Sequence, residues 1–195
     1  MKKIGLTGGI GSGKSTIAEV FKILNIPVYN SDDRAKALMN ENPLLKKEIS
    51  NIFGSHIYQN GTLNRAELGA IVFKNPELLQ QLNAVVHPAV GADFNSWCAS
   101  QNTQYVIKET AIIYETGINK MLDGVIAVIA PDELRIKRVL KRPGMTEELI
   151  KDRMSRQLPT ETLVDKANWL INNDETVLVI PQVLKVHEEI LNLIQ

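Results

Sequence analysis

The stretch Lys3-Ile4-Gly5-Leu6-Thr7-Gly8-Gly9-Ile10-Gly11-Ser12-Gly13-Lys14-Ser15-Thr16 decides how this chain folds. Lys3 to Thr7 has the length and composition of a short buried strand, and closely spaced glycines follow it at once. From Lys14 to Leu24 the apolar residues Ile17, Val20, Phe21 and Leu24 fall at helical spacing. Between the two, Gly8 to Ser15 fits G-x-x-x-x-G-K-[ST], in the strand–loop–helix context that gives the pattern meaning. Glycines let a backbone bend tightly around an anion, and the loop amides and the next helix N-terminus then point at phosphate oxygens. Gly8, Gly9, Gly11, Ser12, Gly13, Lys14, Ser15 and Thr16 are therefore expected to bind a nucleotide. Lys14 is expected to reach the β- and γ-phosphates, and the Ser15 hydroxyl to ligate Mg²⁺.

Outward from the loop, Ile26-Pro27-Val28-Tyr29 reads as a second strand, which closes a strand–helix–strand unit and seeds a parallel sheet. The stretch from Asp32 to about Gln101 reads as mainly helical. Asn42-Pro43 and Asn75-Pro76 each put a capping side chain before a proline suited to the first helical position. Asn60-Gly61 marks a turn between Phe53 and a helix beginning near Asn64. Strands return at Tyr105–Glu109 and Gly124–Ala130. Pro131-Asp132 opens a helix that runs through Arg142 and stops at Pro143-Gly144. A further helix spans Thr146 to about Arg156, Trp169-Leu170-Ile171 is a fifth strand, and a final helix carries Val183, Val186, Ile190 and Leu193. The late helices hold an uneven charge. Between Leu134 and Gln157 there are eight basic residues (Arg135, Lys137, Arg138, Lys141, Arg142, Lys151, Arg153, Arg156) and three acids (Glu147, Glu148, Asp152), a local excess of +5.

The whole chain, by contrast, is neutral: 22 Lys+Arg against 22 Asp+Glu in 195 residues. Neutrality argues against a general nucleic-acid binder or an anionic-membrane binder. A chain of this length is one domain at roughly 150 residues per domain. It buries about 70% of its unfolded surface, so no disulfide or metal staple is needed. The single Cys98 excludes an internal disulfide framework, fits a reducing compartment and reads as a small buried hydrophobe. No run approaches the ~20 apolar residues of a membrane span. The opening Met1-Lys2-Lys3 is not followed by an export signal's apolar region of about 7–15 residues. A cytoplasmic location is expected.

Three classes of protein share such a loop: guanine-nucleotide switches, ATP-driven motors and small-molecule kinases. A switch needs Asp-x-x-Gly, and no Asp here has Gly three residues later. It also needs Asn-Lys-x-Asp to read guanine, but Asn119-Lys120-Met121-Leu122 ends in leucine. A motor's strand ending in Asp has one counterpart, Tyr105-Val106-Ile107-Lys108-Glu109. Glu109 is either a group that positions Mg²⁺ or its water, or a solvated carboxylate at a strand end. A kinase needs an acceptor site, a group that orients the attacking hydroxyl, and positive charge over the phosphoryl in transit. Asp32 and Asp33 follow the second strand, on the carboxyl side of the sheet where open α/β folds place ligands. The helical insert supplies room for an acceptor, and the basic late helices read as a lid over triphosphate. Asp32 and Asp33 are equal candidates for the orienting group on this evidence; helix N-cap is the other role open to Asp32.

With these elements in place the chain resembles the dephospho-coenzyme A kinase family over nearly its full length. The opening IGLTGGIGSGKST is very similar to the family's start. VYNSDDRAK (Val28 to Lys36) resembles the family segment V-I-D-A-D-x-x-A-R. Phe53-Gly54, Gly61-Thr62-Leu63-Asn64-Arg65 and Leu82-Asn83-Ala84-Val85-Val86-His87-Pro88 follow in the family's order. So do Ala111-Ile112-Ile113-Tyr114-Glu115, the R-x-x-x-R pair Arg138 and Arg142, Gln157, and Ala167 to Asn173. The chain departs from the pattern in places: Asn30 and Asn168 stand for aspartates, Lys36 for an arginine and Ala111 for a proline.

The resemblance implies an α/β, P-loop NTPase three-layer fold with a five-stranded parallel sheet, a helical acceptor-binding insert and a helical lid. Residues 1–195 form one kinase domain, with a core of about 1–31, 103–137 and 166–195, an insert of about 32–102 and a lid of about 138–165. It implies transfer of the ATP γ-phosphoryl group to the ribose 3′-hydroxyl of dephospho-CoA, with Mg²⁺, giving CoA and ADP; a nucleoside monophosphate is the alternative acceptor. Asp32 is then the catalytic base, supported by Lys14, Arg138 and Arg142. Lys36, Arg65 and His87 are acceptor-site candidates, against a salt bridge for Arg65 and a turn histidine for His87. Asn173 is expected near the adenine. His56 and His187 show no metal-ligand spacing with Cys98, and Trp97 and Trp169 read as core.

Overall fold

In the computed structural model, which describes residues 1–194, the apolar run before the glycines is a strand, β1 (Lys2–Thr7), and the residues after them form α1 (Lys14–Ile23). β2 (Val28–Asn30) leads directly into α2 (Ser31–Glu41). There follow α3 (Pro43–Phe53), β3 (Tyr58–Gln59), β4 (Thr62–Leu63), α4 (Arg65–Lys74) and α5 (Pro76–Ala99). The chain continues through β5 (Tyr105–Glu109), β6 (Gly124–Ile129), α6 (Asp132–Leu140), α7 (Glu147–Ser155), α8 (Thr160–Lys166), β7 (Trp169–Asn172) and α9 (Val179–Asn192). Two compact units result: residues Met1–Tyr29 together with those from Gln101 onward, and Asn30–Ser100.

The first unit is organised by a five-stranded sheet in the order β2-β5-β1-β6-β7. β1 pairs in parallel with β5 and β6, and β6 with β7. Side chains of a strand alternate between faces, so Ile4 and Leu6 share one face with Tyr105, Ile107, Ile126, Val128 and Ile171. That face packs against Ile17, Ala18 and Phe21 of α1 and Val183, Val186 and Ile190 of α9. Each fully buried Val, Leu, Ile or Phe in this layer contributes roughly 1.5–3 kcal/mol, so the layer is a major source of the unit's stability. The Tyr105 hydroxyl lies 2.7 Å from Nδ1 of His187, which pins α9 to β5. The central strand ends where the glycines begin, and the sheet core therefore fixes where the loop starts.

In the second unit α2, α3 and α4 pack against the long α5. α5 turns Leu82, Val86, Val90, Phe94 and Cys98 inward at intervals of four residues. The Asn-Pro pairs act as the sequence predicts. The Asn42 carboxamide accepts the N–H groups of Leu44 and Leu45, and that of Asn75 accepts those of Glu77 and Leu78.

Several expectations change in detail. The turn at Asn60-Gly61 closes a small antiparallel hairpin, β3 with β4, in a region read as helical. Both turn residues have positive φ, 50° and 77°, as a tight two-residue hairpin demands. α6 stops at Leu140, two residues before Arg142. α8 was not anticipated. Leu193 caps the last helix and is 68% exposed, so it does not belong to the apolar face. Trp97 and Trp169 are half-buried; Trp169 packs on the sheet core and Trp97 stacks on Phe94, with centroids 6.1 Å apart. No helix among the described residues is long and apolar enough to cross a membrane.

Phe21 is fully buried beneath the sheet, whereas Ile23, two residues on, is 78% exposed. Phe21→Ala is expected to cost about 3–5 kcal/mol in urea unfolding, by lost transfer energy and a cavity. Ile23→Ala is expected to change it by less than about 0.5 kcal/mol.

Candidate active site

Gly8, Gly11 and Gly13 adopt φ values of 149°, 81° and 97°, so three left-handed or extended-positive turns bend the chain between β1 and α1. The Ser12 N–H donates to the Gly9 carbonyl at 3.1 Å, and the Thr16 N–H to the Gly13 carbonyl at 3.0 Å. Gly13 is the N-cap of α1 and no side chain caps the helix, so its dipole opens toward the loop. A Cβ on Gly13 would run into the Asn173 amide nitrogen. The Lys14 ammonium donates to the Gly8 carbonyl at 2.8 Å, which holds its charge against the start of the loop. Ser15 and Thr16 are exposed in the first turn of α1. The hydroxyls of Thr7 and Ser12 are buried, and no described residue hydrogen-bonds them.

The neighbouring strand ends supply the rest. Glu109 lies opposite Leu6 and so shares the face that α1 covers. It is buried, 7% exposed, which sets aside the reading of a solvated strand-end carboxylate. Lys108 points to the other face, its ammonium 4.7 Å from the centroid of the Tyr29 ring. Beyond β7, the Asn173 amide donates to the Ser12 carbonyl at 2.8 Å, so its side chain supports the loop. Arg138 donates to the Asn173 carbonyl at 3.0 Å, to Glu175 at 3.1 Å and to the Gly11 carbonyl at 3.5 Å. Arg142 lies past the end of α6 and is exposed, and no hydrogen bond or ion pair ties its side chain to the loop. Arg135, counted in the sequence only as one of the basic residues, is buried and its Nε donates to the Ile10 carbonyl at 2.9 Å. Its signal was an Asp132–Arg135 pair at helical spacing, which is common on solvated helices and told nothing of the loop.

Within the second unit the start of α2 resolves the two aspartates. Asn30 is the N-cap: its side-chain oxygen accepts the Asp33 N–H at 2.9 Å, so Asp32 is not the cap. Asp33 pairs with Lys36 at 2.7 Å, and this also accounts for the Lys36 ammonium. Asp32 stands exposed in the first helical turn, and no described residue pairs with its carboxylate. Arg65 is the first residue of α4 and is exposed. His87 sits inside α5 rather than in a turn, and its partial burial lowers its pKa below the usual imidazole value. No group of three or more acids, histidines or cysteines among the described residues could hold a metal by itself.

A phosphate-loop geometry of this kind is shared by many enzymes, and comparison with known proteins narrows it. The family model for dephospho-CoA kinase matches residues 2–178. The chain belongs to the dephospho-CoA kinase family. A Porphyromonas gingivalis dephospho-CoA kinase is 37% identical over 191 residues, which cover 97% of this chain and 95% of the relative. Among solved structures, a Thermus thermophilus protein superposes with a TM-score of 0.87 at 31% identity, covering 96% of each chain. A dephospho-CoA kinase from Campylobacter jejuni superposes with a TM-score of 0.64 at 27% identity, covering 97% of each chain. Membership of the dephospho-CoA kinase family implies use of ATP.

Gly13→Ala combines a positive φ with a collision against Asn173, whereas Gly61 has a positive φ and open space around it. Gly13→Ala is expected to weaken ADP binding, measured by calorimetric titration, at least about a hundredfold. Gly61→Ala should cost only about 1 kcal/mol of stability and leave ADP affinity unchanged.

Proposed function

We propose that this chain transfers the γ-phosphoryl group of ATP to the ribose 3′-hydroxyl of dephospho-CoA, yielding CoA and ADP in the last step of coenzyme A biosynthesis. The observation that carries the reading is the Gly8–Ser15 loop, with its cap-free helix start, in a chain of the dephospho-CoA kinase family. The loop amides take up the phosphates and Lys14 reaches the β- and γ-oxygens. Arg138 covers the transferring group, and Arg142 joins it from the segment of residues 138–165, which serves as the lid. Asn173 acts on the nucleotide through the loop it supports.

The donor set fits a magnesium ion: an exposed serine hydroxyl in the first turn of α1 and a buried carboxylate on the strand beside β1. Ser15 and Glu109 would hold it. When bound, the ion would neutralise charge on the β- and γ-phosphates. Asp32 is the group that accepts the hydroxyl proton or orients the hydroxyl for in-line attack, since Asp33 is engaged by Lys36. The unit Asn30–Ser100 receives the acceptor, with Lys36, Arg65 and His87 as its contacts. Because desolvation lowers the His87 pKa, that residue contributes a hydrogen bond rather than a charge at neutral pH. The enzyme works in the cytoplasm, where ATP is available.

Asp32→Asn is expected to lower kcat at least about a hundredfold while ADP affinity stays within about threefold. Turnover near the wild-type value would remove Asp32 from the role. Lys14→Ala should abolish transfer, and robust residual turnover would contradict the loop assignment. ADP release is to be followed against dephospho-CoA, nucleoside monophosphates, shikimate and gluconate. Dephospho-CoA is expected to give the highest kcat/KM, and a preferred nucleoside monophosphate would reassign the acceptor.

A further inference from the structure

Ile10, near the middle of the phosphate loop, has both of its backbone groups bound by side chains from far along the chain. Its N–H donates to the Gln157 side-chain oxygen at 2.8 Å. Its carbonyl accepts the Arg135 Nε–H at 2.9 Å. Arg135 is 5% exposed and lies so close to the loop that a Cβ on Gly9 would collide with its guanidinium. The same guanidinium reaches Asp132 at 2.7 Å and Thr160 at 3.4 Å. It therefore joins the start of α6 to the start of α8, and Gln157 sits three residues before Thr160, where the chain leaves α7. Both side chains line a cavity of about 780 Å³ formed by the β6–α6 turn, the α7–α8 connection and the end of β7.

We propose that Arg135 and Gln157 are positioning residues for phosphoryl transfer. Together they hold Ile10, and through it the phosphate loop, in the shape that receives the nucleotide. The physical need is plain: amides turned toward an anion cannot also hydrogen-bond one another, so the turn must be held from outside. A residue fixed at both its N–H and its carbonyl has little freedom to rotate its flanking peptides. Gln157 also belongs to the connection through which the segment 138–165 rejoins the sheet unit, so any displacement of that segment acts on the loop directly. The proposal rests on the reading that the loop binds nucleotide phosphates; it does not depend on which acceptor is used.

The test compares Arg135→Met, Gln157→Ala and the double variant. ADP affinity is measured by calorimetric titration, KM for dephospho-CoA by steady-state kinetics, and folding by circular dichroism. Each single change is expected to weaken ADP binding about tenfold and to leave KM for dephospho-CoA within about twofold. Because both side chains act on one residue, the double variant should lose no more than about thirtyfold. ADP affinity within twofold of wild type in either folded single variant would overturn the proposal, even where thermal stability falls. Losses that multiply to about a hundredfold in the double variant would overturn the shared action on Ile10. If Arg135→Met does not fold, Arg135→Lys, which keeps the charge and loses the planar fork, takes its place under the same criteria. A wild-type protein that binds ADP yet does not phosphorylate dephospho-CoA would remove the proposed reaction and leave the ADP titrations to decide the proposal.

Discussion

A loop that offers its amides to an anion gives up many of the hydrogen bonds with which a turn normally holds itself, though here the Ser12 N–H still meets the Gly9 carbonyl. Everything around Gly8–Ser15 answers that constraint. Below it, β1 is locked between β5 and β6 by a layer of buried aliphatic side chains, so the first residue of the loop has a fixed origin. After it, α1 is anchored by Ile17 and Phe21, so the last residue has a fixed destination. Between those ends the carbonyls of Ile10, Gly11 and Ser12 are each met by a side chain from another segment: Arg135, Arg138 and Asn173. The geometry of the loop thus depends on tertiary contacts with residues more than a hundred positions away.

This arrangement also explains the uneven charge. The excess between Leu134 and Gln157 is not one undifferentiated basic surface. Arg135 and Arg138 are turned inward onto loop carbonyls, where a guanidinium's several donors suit a curved backbone. Lys151 and Arg156 are engaged with Glu147 and Asp152 along α7, exposed pairs that contribute little to stability. The positive charge not engaged in such contacts is therefore smaller than the sequence count suggests.

The sheet and its order of elements were legible because buried parallel strands are short apolar runs flanked by breakers, as in Val125 to Ala130 between Gly124 and Pro131. The caps at Asn42 and Asn75 were legible because the chemistry is local. The β3–β4 hairpin was not, since strands of two residues carry no period. α8 was missed because seven residues barely complete two turns. The loop could be read from its glycines, and the aspartates narrowed to two. The resemblance favours Asp32, and the structure adds that Asn30 caps the helix and that Lys36 engages Asp33. The positions of Arg135 and Asn173 were beyond any local reading: neither contact leaves a mark in the residues beside it.

Cys98, buried at 4% exposure on the inner face of α5, is the sole thiol of the molecule. A thiol reagent can reach a side chain so buried only when its surroundings open. Its alkylation rate is accordingly a clock for local opening around the end of α5, read without interference from any second sulfhydryl. The phosphate loop contains no cysteine, so that clock reads the helical unit and not the loop.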